Sequence, residues 1–128
     1  MPQTTLLVFR DKSGELPLLS WLEGLEGTDS KAFAKCLERI LQLERFGHEL
    51  RRPAADILRD NIHELRTKRG RVHYRILYFF CQGDRNVACL THGFTKEGAV
   101  PKSEIEFAIK AKQFVENDRV RFTMEWEV

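Results

Sequence analysis

No apolar run in this sequence approaches the ~20 residues that a membrane-spanning helix requires. The opening MPQTTLLVFRDKSG lacks a charged segment followed by a long apolar one, so no signal peptide is expected and the chain reads as cytoplasmic. Cysteine is scarce: Cys36, Cys81 and Cys89 are odd in number, far apart and without a C-x-x-C pair. This argues against a disulfide framework or a structural zinc site and leaves the three as small buried hydrophobes. No pair of His, Cys or carboxylate residues sits at ligand spacing on one element, so no metal is expected. Net charge is nearly absent too, at +2 over 128 residues. What is present is 42% hydrophobic residues, enough for one proper core, and no internal repeat or linker that would divide it.

The small net charge hides an asymmetry. Residues 45 to 75 hold nine Lys or Arg (Arg45, Arg51, Arg52, Arg59, Arg66, Lys68, Arg69, Arg71, Arg75) against four acids (Glu49, Asp56, Asp60, Glu64), a local +5 that leaves −3 for the remainder. A positive field on a near-neutral protein suits a polyanionic partner; scattered Arg on a solvated loop is the plainer alternative.

The chain reads as β-α-α-β-β-β-α. TTLLVFR is a short strand of β-formers over 4–10. ELPLLSWLEGL carries Leu18, Leu19, Leu22 and Leu25 at helical spacing, with Pro17 in the first turn. SKAFAKCLERILQLERFG repeats Phe33, Cys36, Leu37, Ile40 and Leu41 at i, i+3, i+4, capped by Asp29 or Ser30 and ended by Gly47. HELRRPAADILRD reads as a polar connection. NIHELRTK, VHYRILYFF and VACLTHGF then form an antiparallel meander through two short turns. VPKSEIEFAIKAKQFVEND is a last helix, with Ile105, Ala108, Ile109 and Val115 inward. The tail VRFTMEWEV alternates strictly from Val120 to Val128, a half-buried strand pattern that suits a sheet edge within the monomer or between chains and leaves a homodimer open. The expected class is α+β: an antiparallel sheet, the N-terminal strand plus a three-strand meander, with a two-helix hairpin on one face and a C-terminal helix.

Alternation in VHYRILYFF puts Val72, Tyr74, Ile76, Tyr78 and Phe80 on the core face, and Arg71, His73, Arg75, Leu77 and Phe79 on the other. If Leu65 faces the core, Arg66 and Lys68 face out. Pairing through the RGR turn then gathers Arg66, Lys68 and Arg75 on one outward surface. Like charges side by side on paired strands repel by up to ~1 kcal/mol, so their grouping favours an anionic ligand over chance.

At this point the sequence resembles a known family. ELR on one strand, YRILYFF on the next, HGFTKE after the third and PKSEIEFAIK opening the last helix, all between 63 and 112, resemble the RelE/ParE superfamily of bacterial toxins, and its HigB-like, phage-associated branch in particular. The resemblance implies a single toxin domain over 1–128 and a ribosome-dependent mRNA endonuclease. It would be neutralised by an antitoxin of helix-turn-helix type, and its partners would be the ribosome and mRNA. Attack by the ribose 2′-OH implies no metal and no cofactor. Carried over by motif, Arg66, Arg75 and Lys96 match the family's basic positions, and Lys68, Arg69, Arg71, His73 and Lys102 are further candidate RNA-binding residues.

The chemistry needs a base for the 2′-OH, a stabiliser for the phosphorane and an acid for the leaving oxygen. Arg66 and Arg75 suit the phosphate, because a guanidinium forks onto two oxygens. His92 is a candidate proton shuttle and equally an ordinary strand histidine; Lys96 is a second. Glu64 reads as a screen for the Arg residues, and His63 and His73 as weaker candidates. The last helix lacks the tyrosine that some family members use. Two other readings stay open: a ParE-like toxin that binds a protein target such as gyrase, and an inactive remnant that binds nucleic acid or an antitoxin-like partner.

Overall fold

The computed structural model describes residues 3–127; the Val128 end of the alternating tail lies outside them. The elements are β1 (Thr5–Phe9), α1 (Pro17–Thr28), α2 (Ser30–Phe46), β2 (Ala55–Ile57), β3 (His63–Arg69), β4 (Val72–Cys81), β5 (Asp84–Thr95), α3 (Lys102–Asn117), α4 (Arg119–Phe122) and β6 (Thr123–Glu125). The strands make one six-stranded sheet in the order β2-β3-β4-β5-β1-β6. All neighbouring pairs are antiparallel except β1–β5, which is parallel with Thr5 opposite Val87. A parallel pair needs a crossover, and the α1–α2 hairpin begins the long excursion that makes one possible here.

The helical hairpin forms because each helix has one apolar stripe. Leu18 and Leu22 of α1 and Ala32, Cys36, Ile40 and Leu43 of α2 are buried against Leu6, Val8, Leu65, Tyr74, Ile76, Tyr78 and Leu90 of the sheet. Leu41, expected inward, is 47% exposed, since it falls just off that stripe. The Asp29 carboxylate accepts the Ala32 N–H at 3.2 Å and caps α2. Gly93 of β5 is the point of closest approach: a Cβ there would run into the Trp21 indole of α1. Gly93→Ala therefore overpacks this interface and is expected to cost about 1–3 kcal/mol, read as a lower urea midpoint; an unchanged midpoint would show that Trp21 can swing aside freely.

The other face of the sheet is not open, as a bare platform would be. α3 lies across its apolar end, burying Ile105, Ala108, Ala111 and Val115, with Leu7, Ile62, Leu77, Phe79, Cys89 and Phe122 in the same cluster. That explains why VHYRILYFF is apolar on both sides after Arg75: both faces are covered there. The connection read as purely polar contains β2, whose Ala55 pairs with Leu65. The tail is half helix and half strand: α4 turns first, then β6 pairs with β1, Leu7 opposite Glu125. It completes this chain's own sheet, while Val120 stands 87% exposed on α4.

Candidate functional site

Strand register arranges the α3-side face into three rows. Furthest from the β3–β4 turn, Glu64, Leu77 and His92 stand side by side. Next come Arg66, Arg75 and Phe94. Nearest the turn, Lys68 stands opposite His73, and the Lys96 N–H donates to the His73 carbonyl at 3.1 Å. α3 covers the first row and leaves the last one accessible, so the face grades from buried to exposed.

Arg75 does not point outward as the alternation had suggested. It is 7% exposed and Glu64 is 2% exposed. Its Nη1 donates to both Glu64 carboxylate oxygens at 3.0 and 2.9 Å, its Nε to the Lys96 carbonyl at 3.1 Å and its Nη2 to the Gly98 carbonyl at 2.6 Å. Two arginines directly opposite each other would repel. The buried carboxylate removes that cost, since Arg66 Nε also lies 3.4 Å from Glu64. Arg75 thus ties β3, β4 and the loop after β5 together, which makes it a positioning residue. Sequence reading had Glu64 screening the arginines; what it could not show is that the pair is buried.

Three other candidates also change standing. Arg69 lies on the opposite face, its Nε donating to both Asp29 oxygens at 2.9 and 3.0 Å. That bond and the Ala32 N–H hold the Asp29 carboxyl below the usual carboxylate range, the backbone bond contributing most. His92 is buried between β5 and α3, with Nδ1 2.9 Å from Thr91 Oγ1, Nε2 3.3 Å from Glu104 Oε1, and its ring packed against Phe94 and Phe107. Both ring nitrogens have protein partners and the ring is packed between aromatic neighbours, so it does not stand open to the surface. Lys102 is exposed at the start of α3, 3.7 Å from Glu106.

The accessible basic side chains are Lys68, Arg71 and Lys96, with His73 half-buried beside them and Arg66 half-exposed behind. None of the first four takes part in an ion pair among the described residues. A cleft of about 440 Å³ opens beside Arg66 and Arg75, lined also by Ile57, Arg59, Glu64 and the Gly98–Val100 loop. Asp56 on β2 lies 4.0 Å from Arg66 Nη1 and is held below the usual carboxylate range chiefly by its hydrogen bond from Arg52. His73, a weaker candidate from sequence, stands half-buried in the row nearest the turn. Its only signal was that it shares Arg75's side of β4 two residues closer to the turn; which end α3 covers is a tertiary fact. Among the described residues no three His, Cys, Asp or Glu side chains come together in a way that could hold a metal ion, and no helix is long and apolar enough to cross a membrane.

Burial also sets a pH dependence. It pushes His92 below the ordinary 6.5, with Glu104 offsetting part of the effect. It pushes His63 down likewise, helped by Lys112 and opposed by Asp56. With folded values below unfolded ones, the unfolded chain takes up protons first as pH falls. Stability is therefore full above 6.5 and is lost on acidification through 6.5 toward the folded values. Thermal melts should give a lower Tm at pH 5.5 than at pH 7.5; a higher one would contradict the burial of both rings.

No curated protein matches the chain. A family model described as "Phage derived protein Gp49-like (DUF891)" matches residues 21–113, which run from α1 into α3 and contain all three rows. That span is well over half of the sequence, and the chain accordingly belongs to this phage-derived Gp49-like family, a family related to the RelE/ParE-like toxins.

Proposed function

We propose that the protein is the toxin of a type II toxin-antitoxin system, of the HigB-like kind, and that it cuts mRNA on the ribosome in the cytoplasm. The observation that carries this reading is the row Lys68–His73–Lys96, its two lysines exposed and its histidine half-buried, with no ion pair among the described residues, backed by Arg66 on a floor held by the Glu64–Arg75 pair. Free cations fixed on a sheet suit a phosphate backbone, which binds chiefly by charge.

In this reading the ribose 2′-oxygen attacks the adjacent phosphorus and the bond to the 5′-oxygen breaks. The products are a 2′,3′-cyclic phosphate and a free 5′-hydroxyl. Half-buried His73 and exposed Lys96 are the groups in this row that can take the 2′-OH proton and give one to the leaving oxygen. Arg66 and Lys68 offset the charge growing on the phosphorane. Arg75 acts through the loop it holds, and His92 through packing. No metal enters these steps. The antitoxin would bring an acidic segment onto Arg66, Lys68, Arg71 and Lys96; such segments often fold on binding.

The test is the chemistry of the cut ends. RNA recovered after expression should carry 2′,3′-cyclic or 3′-phosphate termini on upstream fragments and 5′-hydroxyls on downstream ones. Growth arrest with intact messages would favour a ParE-like protein target instead.

A further inference from the structure

At the opposite end of the β3–β4 pair lies a second basic cleft. From His73 to Phe80 along β4 is seven residues, or roughly 23 Å at about 3.3 Å per residue. This cleft, about 580 Å³, is lined by Arg51, His63, Phe80, Arg85 and Lys112 among others. The Phe80 ring stands edge-on to His63, with centroids 5.2 Å apart, and His63 stacks on Tyr78 at 5.1 Å. Arg51 and Arg85 are exposed, and neither forms an ion pair among the described residues. The contact of Arg85 Nη2 is with His48 Nδ1 at 3.0 Å; a guanidinium can only donate, so that nitrogen accepts. Lys112 donates to the Asp60 carbonyl at 3.4 Å and forms no ion pair among the described residues. Glu116 is the one acid in the lining.

We propose that this cleft is a second contact site for single-stranded RNA, with a base against Phe80 and His63 and the flanking phosphates on Arg51 and Arg85. The combination selects the ligand class. Unpaired cations alone would suit any polyanion, acidic peptides included. Cations around a half-open aromatic pair suit a chain that alternates phosphate with flat rings, and stacking of that kind tolerates any base. Three cations and the rings of His63 and Phe80 line one cleft of about 580 Å³, which fits a single strand with exposed bases better than a duplex. The site extends RNA contact beyond the row proposed above but stands on separate residues.

The experiment is fluorescence anisotropy of a labelled 12-nucleotide oligouridylate with the purified protein across a salt series. Arg51→Glu with Arg85→Glu should weaken binding at least tenfold and lower the magnitude of the salt slope by about 1.4, two phosphates' worth for a single strand. Phe80→Leu, which keeps the apolar volume, should weaken binding about tenfold with little change in slope. If Lys68→Glu has no effect while the Arg51 and Arg85 variant loses binding, this site holds and the active-row reading fails. Loss of binding only on Lys68→Glu overturns this site. So does no binding by the wild type, or an oligoglutamate that displaces the RNA while Phe80→Leu binds normally.

Discussion

Arg75→Ala is expected to destabilise the fold severely, with a large drop in the urea midpoint. The change removes four hydrogen bonds at once, two to Glu64 and one each to the Lys96 and Gly98 carbonyls. What remains is a carboxylate that is 2% exposed and, among the described residues, has Arg66 as its one remaining ion-pair partner, at 3.4 Å. Breaking a buried ion pair from one side costs about 3–5 kcal/mol, a large part of the 5–15 kcal/mol that typically holds a domain together. Arg75→Lys should recover only part, because an ammonium cannot bridge Glu64 and two carbonyls with the guanidinium's fixed fork. Removing both charges, with Glu64→Gln and Arg75→Met, should be milder than Arg75→Ala alone, since no buried charge is left unpaired. Urea midpoints of the variants give the answer. An Arg75→Ala protein with the wild-type midpoint would mean that the pair is not buried in solution, and the floor of the site would have to be rethought.

The basic row should behave in the opposite way. His73→Ala, Lys68→Ala and Lys96→Ala remove side chains with no partner among the described ion pairs, so each should shift stability by no more than about 0.5 kcal/mol. Their effect on cleavage should be large. A residue that moves a proton in the transition state contributes about 10²–10⁴-fold, which is the loss expected for His73→Ala. A phosphate contact contributes about 1.5–3 kcal/mol, or roughly 10–150-fold, which is the loss expected for Lys68→Ala. His92→Gln should spare cleavage relative to His73→Ala, because Phe94, Phe107 and Glu104 enclose that ring. Cleavage rates and melting curves on the same samples separate the two kinds of residue. A fully active His73→Ala variant would remove this histidine from the chemistry.

This division of labour was only partly legible in the sequence. Period-3.6 spacing located α2 and its buried Cys36 and Ile40, and the turn residues set the β3–β4 and β4–β5 hairpins, because these signals are local. Gly70, at φ +62, supplies the left-handed residue that the first of those turns needs. Alternation also sorted Tyr74, Ile76 and Tyr78 correctly onto the helix-covered face. It could not show which part of the other face α3 would cover. From strand periodicity alone His73, Arg75 and His92 are equivalent; only α3 and the loop after β5 separate a half-buried histidine from a buried arginine and a buried histidine. The parallel placement of β1 beside β5 is likewise a long-range outcome with no local signature. β2 escaped notice because three residues are too few to establish a period.

Cleavage of messages on the ribosome through the basic row, as proposed, can be read by primer extension in a purified translation system. The protein is added to translating ribosomes at fixed Mg²⁺, with chelators of transition metals present. New 5′ ends in phase with codons are expected, absent when ribosomes are omitted, insensitive to the chelator, and lost with His73→Ala at unchanged melting temperature. Messages left intact by the folded wild-type protein, or cleavage that appears only when zinc or manganese is restored, would contradict that proposal.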